Sequence, residues 1–208
     1  TPSPEPAAVR ALRVSSPRKT GRSHRGSPDV CVGLGTRPIL GFRRARARRS
    51  SPRAWSVRPG VPPNWSQSDV INNAETVHSQ LRNNNLSEFL SQMYGNLPHT
   101  WSENLTIEEK CRYTINALMR MRFCKEDGEL EFEHKLNIDK NPTGYKAWFL
   151  HKNHLMKEQK IFFGHWSSLK NVNTNNIYPL DHGCIWGGQL TAYNLSNNTY
   201  ITQDSLEI

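Results

Sequence analysis

The chain changes chemical character near residue 60, and that boundary limits where a fold can form. Residues 1–65 hold thirteen Arg and one Lys against Glu5 and Asp29, a formal charge of +12. Residues 66–208 hold thirteen basic and sixteen acidic residues, a formal charge of −3. The net charge of +9, which would point to a nucleic-acid or anionic-membrane partner, therefore belongs to the first third of the 208 residues. That third also carries ten of the thirteen prolines and few large apolar residues, so it cannot bury enough surface to offset the entropy of ordering. Residues 1–60 are expected to be a disordered Arg/Pro/Ser-rich segment. Residues 61–208 are long enough for one folded domain.

The run Arg43-Arg44-Ala45-Arg46-Ala47-Arg48-Arg49 suits a nuclear-localisation or nucleic-acid patch. It also suits an acid-poor organelle-targeting segment or a solvated tail without function. Residue usage separates the two parts further: Asn64 is the first Asn, and beyond it Asn is frequent and Lys outnumbers Arg. The contrast suggests two origins for the coding sequence, as a frameshift, a gene-model fusion or a truncated gene would produce. A first residue other than Met suits a fragment.

No apolar run approaches the ~20 residues of a membrane span, and Thr1-Pro2-Ser3-Pro4 opens without the apolar core of a secretory signal. Cys31, Cys111, Cys124 and Cys184 are widely spaced, which suits neither a zinc ribbon nor a disulfide scaffold. A reducing, cytoplasmic setting is expected. The N-x-[ST] matches at Asn64, Asn85, Asn104, Asn194 and Asn197 are read as chance in an Asn-rich chain.

Helical signals come first. Ser66–Asp69 offers caps for a helix over Val70–Leu81, with Val70, Ala74, Val77 and Leu81 on one face. Ser87 can cap a short helix that Gly95 would end. Thr106 and Glu109 form a capping box for a helix reaching about Met121, burying Cys111, Ile115, Leu118 and Met119 or their neighbours. Strand signals follow: alternation over Leu130–His134, apolar runs at Lys160–Trp166 and Ile177–Leu180, and a hairpin of Gln189–Leu195 and Thr199–Thr202 around Ser196-Asn197-Asn198. Helices before strands imply an α+β fold rather than a chain of βαβ units.

Three constellations carry chemical content. In Phe163-Gly164-His165-Trp166, an imidazole just past a buried strand could ligate a divalent metal. One His alone makes no site, and a surface or core His is the plain alternative. In Leu180-Asp181-His182-Gly183-Cys184-Ile185-Trp186-Gly187-Gly188, the glycines permit either close approach to a ligand or a tight strand connection. In Arg120-Met121-Arg122-Phe123-Cys124, two Arg could grip phosphate oxygens or simply favour a helix C-terminus. The chain has no G-x-x-x-x-G-K-[ST], G-x-S-x-G, H-E-x-x-H or C-x-x-C.

Taken together, residues 61–203 resemble the C-terminal half of the symmetrical bis(5′-nucleosyl)-tetraphosphatases, diadenosine tetraphosphate hydrolases of the calcineurin-like metallophosphoesterase superfamily. The resemblance begins at Val61-Pro62-Pro63-Asn64-Trp65. It runs through Met93–Pro98, Trp101-Ser102, Asn116-Ala117, Arg120–Cys124, Lys146–Phe149 and Phe163–Leu169, and closes with Tyr178–Thr191. It implies part of a two-sheet sandwich flanked by helices. It also implies two divalent ions, manganese or cobalt, whose bound hydroxide splits the tetraphosphate symmetrically into two ADP. His165 matches a metal ligand with a catalytic role. Arg120, Arg122, Asp181 and Trp186 match positions suited to substrate binding. The implied partner is a dinucleoside polyphosphate, with no membrane and no nucleic acid.

The chain departs from that pattern at several points. The G-D-x-H-G, G-D-x-x-x-R-G and G-N-H motifs are absent, and Arg58-Pro59-Gly60 stands where the family has His-Ala-Gly. His182 replaces the usual Thr and is given no role. One imidazole cannot hold two divalent ions, so the chain is expected not to hold both and to be inactive. Lost partner strands would leave open sheet edges and marginal stability. The alternatives are a catalytically dead remnant that keeps a nucleotide pocket, and nucleic-acid binding through the basic segment.

Overall fold

The computed structural model describes residues 30–32, 43–44, 54–56 and 60–206, apart from 136, 170, 171 and 173. The remainder of the segment expected to be disordered, including Ala45–Arg49 of the basic run and Arg58-Pro59, lies outside the described residues. Mixed helix and sheet make up the described part, in keeping with an α+β chain. Among the described residues no helix is long and apolar enough to cross a membrane.

Helix α1 spans Gln67–Leu81. It starts three residues earlier than expected because Ser66 is itself the cap. The Ser66 Oγ accepts from the Asp69 amide, and Asp69 Oδ2 accepts from the Ser66 amide at 2.7 Å. Its inner face buries Val70, Ala74 and Val77. Helix α2, Leu86–Ser91, follows Asn85 rather than a Ser87 cap and ends well before Gly95. Helix α3, Ile107–Met119, carries the expected box between Thr106 and Glu109. It buries Cys111, Tyr113, Thr114, Asn116, Ala117 and Leu118. Ile115 and Met119 are only partly buried, in a side cluster with Val77, Phe89 and Cys111.

The strands form three small sheets. In the first, β4 (Phe123–Cys124) lies between β5 (Leu130–Glu131) and β6 (Lys146–Ala147), all antiparallel. The expected strand over 130–134 shortens to two residues because the Glu131 carboxylate accepts from the amides of Glu133 and His134, which bends the chain. In the second sheet, β7 (Lys160–Phe163) pairs in parallel with β8 (Ile177–Pro179) on one side and β3 (Ala54–Ser56) on the other. The two-residue β2 (Arg43–Arg44) adds to β3. In the third, β10 (Gln189–Asn194) pairs with β1 (Val30–Val32), β9 (Asp181–His182) and β11 (Thr199–Asp204). The β10–β11 hairpin turns at Ser196–Asn198 as expected and continues two residues further, to Asp204.

Strands β1, β2 and β3 fall in the segment for which no element was expected. Of these, β3 pairs along β7 and β1 along β10. Val30-Cys31-Val32 has two β-branched residues of the kind enriched in strands, and Trp55 pairs opposite Ile161. The core is aromatic. Trp148, Trp166, Phe123 and Phe163 are buried, with Phe123 edge-on to Trp166 at 5.0 Å and Trp148 edge-on to Phe163 at 5.4 Å.

Candidate functional site

Parallel pairing of β7 and β8 decides where the candidate residues meet. Phe163 lies opposite Pro179 at the carboxyl ends of both strands. From there the chain runs into Gly164-His165 on one side and Leu180-Asp181 on the other, with the Leu180 amide bonded to the Phe163 carbonyl at 2.7 Å. Ligand sites of parallel sheets form at such strand ends. A Cβ added to Gly164 would stand 3.7 Å from the Asp181 Cβ. The two loops therefore touch at Gly164 and Asp181.

His165 is exposed and adopts φ 66°, a left-handed conformation that is uncommon for a residue with a side chain. Its carbonyl accepts from Arg122 Nη2 at 3.0 Å. Burial pulls the Arg122 guanidinium below the ordinary arginine value, and the Asp181 carboxylate works against that pull. The Arg122 Nε is buried without a hydrogen-bond partner. The Arg122 guanidinium thus holds the backbone of His165 and lies within the field of Asp181, which draws the three residues into one cluster.

The loop after β9 completes this face. Cys184–Trp186 makes a single tight turn between Gly183 at φ 69° and Gly187 at φ 79°, conformations that glycine adopts without strain. Asp181 Oδ1 accepts from the Gly183 amide at 3.1 Å, which ties the carboxylate to the turn. The turn leaves Trp186 79% exposed. A Cβ at Gly183 would lie 3.7 Å from that of Ser167, so this loop borders the one carrying His165.

Arg120 goes elsewhere. Its guanidinium donates to Asn116 Oδ1 at 2.7 Å, Asn96 Oδ1 at 2.9 Å and the Gly95 carbonyl at 3.3 Å, and lies 4.7 Å over the Phe132 ring. The pair of arginines that the spacing suggested as a phosphate fork is therefore split between two loops. His182 has a structural partner, with Nδ1 2.7 Å from the hydroxyl of the buried Thr191.

Two buried imidazoles were not singled out from the sequence. His154 accepts from the Met156 amide at Nδ1 (3.0 Å) and donates from Nε2 to the Val61 carbonyl (3.2 Å). Burial pushes its pKa down to about 4. His151 Nε2 lies 3.0 Å from the Cys124 carbonyl and 3.6 Å from its Sγ, and burial lowers its pKa as well. The Cys124 thiol is pushed strongly upward by burial, so it is no nucleophile. Sequence spacing gives no signal for the burial of these rings, because their carbonyl partners Val61 and Cys124 lie far off along the chain.

Among the described residues, no three of His, Cys, Asp and Glu come together as a metal-binding group. His165 with Asp181 nearby does not fit a two-ion centre, since each ion needs several first-sphere donors.

Comparison with known proteins gives a consistent result. The chain is 40% identical over 146 residues to a protein of Pseudomonas putida (strain F1) named "Bis(5'-nucleosyl)-tetraphosphatase, symmetrical", covering 69% of this chain and 51% of that protein. A Cellvibrio japonicus protein of the same name is 40% identical over 146 residues, covering 70% and 54%. One from Glaesserella parasuis is 39% identical over 153 residues, covering 73% and 56%. The chain spans about half the length of the curated relatives it matches. No protein-family model matches it.

Proposed function

Because the chain belongs, over its matched residues, to the family of symmetrical bis(5′-nucleosyl)-tetraphosphatases, we propose that it forms part of the substrate face of a diadenosine tetraphosphate hydrolase. The reaction is hydrolysis of a phosphoanhydride: water adds to one phosphorus, the bridging bond breaks, and two ADP leave. The cluster of Arg122, His165 and Asp181 beside an exposed Trp186 carries the reading. Arg122 supplies a guanidinium for phosphate oxygens. Asp181 orders the glycine turn, and Trp186 offers an indole face for a base. His165 is the ligand this chain would give to a manganese or cobalt centre.

The first sixty residues contain only Glu5, His24, Asp29 and Cys31 as further donors. We infer that the chain binds the dinucleotide but does not hydrolyse it unaided, and that the two-sheet sandwich of the superfamily is incomplete within it. The tetraphosphate should bind through Arg122, so calorimetric titration of the full chain with diadenosine tetraphosphate should detect binding that Arg122→Ala weakens about tenfold, the scale of a charge-assisted contact. Equal affinity of the two proteins would remove Arg122 from the site.

A further inference from the structure

One face of α3 holds the chain between α2 and α3 in a fixed shape. Arg112 and Asn116 share a face of α3, and Arg120, the residue that caps its C-terminal end, follows at i+8. Arg112 donates from Nη1 to the Gln92 carbonyl at 2.6 Å and from Nε to the Leu97 carbonyl. Asn116 Nδ2 donates to the Gly95 carbonyl at 2.9 Å, and Arg120 reaches the same carbonyl and the Asn96 side chain. Gly95 makes the bend at φ 100°. A surface loop held by charged and amide donors would ordinarily turn its apolar side chains inward. This one leaves Tyr94 83% exposed and Leu97 64% exposed.

We propose that residues 92–97 form a rigid shelf on which a nucleobase stacks against Tyr94, and that Arg120 is a positioning residue for this shelf rather than a phosphate ligand. The proposal rests on the nucleotide reading above. Arg120 and Arg122 leave the end of α3 for different loops, one to the Tyr94 shelf and one to His165. The shelf and the His165 cluster are therefore both anchored on the same short segment, residues 120–122 at the end of α3. A dinucleoside ligand carries two bases, and Trp186 offers a second strongly exposed ring. Fixing the loop beforehand removes the ordering cost that a mobile aromatic would incur on binding.

The test titrates the full chain with diadenosine tetraphosphate and, separately, with inorganic tripolyphosphate. Tyr94→Ala should weaken the dinucleotide about tenfold, within the range for one base–aromatic stack, and leave tripolyphosphate unchanged. Tyr94→Phe should keep the original affinity. Arg120→Ala should weaken the dinucleotide alone, and the Tyr94→Ala/Arg120→Ala double variant should bind no more weakly than Tyr94→Ala, because both remove the same contact. Unchanged dinucleotide affinity in Tyr94→Ala, or loss of tripolyphosphate binding in Arg120→Ala, overturns the proposal while leaving the nucleotide reading intact. No binding of either ligand by the unaltered chain overturns both.

Discussion

Arg122 donates from Nη2 to the carbonyl oxygen of His165 at 3.0 Å, joining the end of α3 to the loop that follows β7. The bond holds a left-handed His165 in place while its imidazole faces solvent. It also brings the guanidinium within reach of the Asp181 charge.

Removing that tie should loosen the loop at modest cost. Arg122→Ala is expected to lower stability by about 1 kcal/mol, because loss of a hydrogen bond from a charged donor is partly offset by removal of an unpartnered buried Nε. Urea denaturation of the two proteins measures the difference.

Gly60 packs against the buried Trp148. A Cβ there would come within 2.6 Å of the indole Cδ1 and Nε1. Gly60→Ala should therefore destabilise the fold by about 1–3 kcal/mol, the usual cost of overpacking. A shift in the urea midpoint without a change in slope would confirm it.

His154 should make stability fall in mild acid. Its folded pKa of about 4 lies below the ordinary 6.5, so the unfolded chain binds the proton first. Stability is full above about pH 6.5 and is lost as pH drops toward 4, by about 3 kcal/mol for a buried group shifted this far. His151, also lowered, adds in the same direction. Urea unfolding at pH 7 and pH 5 should show the loss, and His154→Gln should flatten it.

His182→Ala should cost about 1–3 kcal/mol, since it leaves the hydroxyl of the fully buried Thr191 without its imidazole partner. Nucleotide affinity should not change, because the His182 imidazole is engaged by Thr191 and successive strand residues such as Asp181 and His182 face opposite sides. Thermal unfolding and nucleotide titration of the same variant separate the two effects.

Legibility followed the range of each interaction. The capping boxes at Ser66 and Thr106 are complete within four residues, so α1 and α3 could be read directly. The alternation at 130–134 misled because Glu131 turns its carboxylate back onto the following amides. Pairing of Trp55 with Ile161 spans more than a hundred residues and starts in an Arg- and Pro-rich stretch, which no local pattern reveals. His165, Asp181 and Trp186 were legible as motif residues, and β7–β8 pairing brings their loops together. The divergence of Arg120 from Arg122 was not, because it depends on where the loop at Gly95 lies in space.

The most direct test of the account is ADP release from diadenosine tetraphosphate by the purified full chain with added manganese, beside its His165→Ala variant. The chain should bind the dinucleotide yet form no more ADP than the variant, because one imidazole cannot assemble a two-ion centre. Multiple turnovers that disappear in His165→Ala would contradict it.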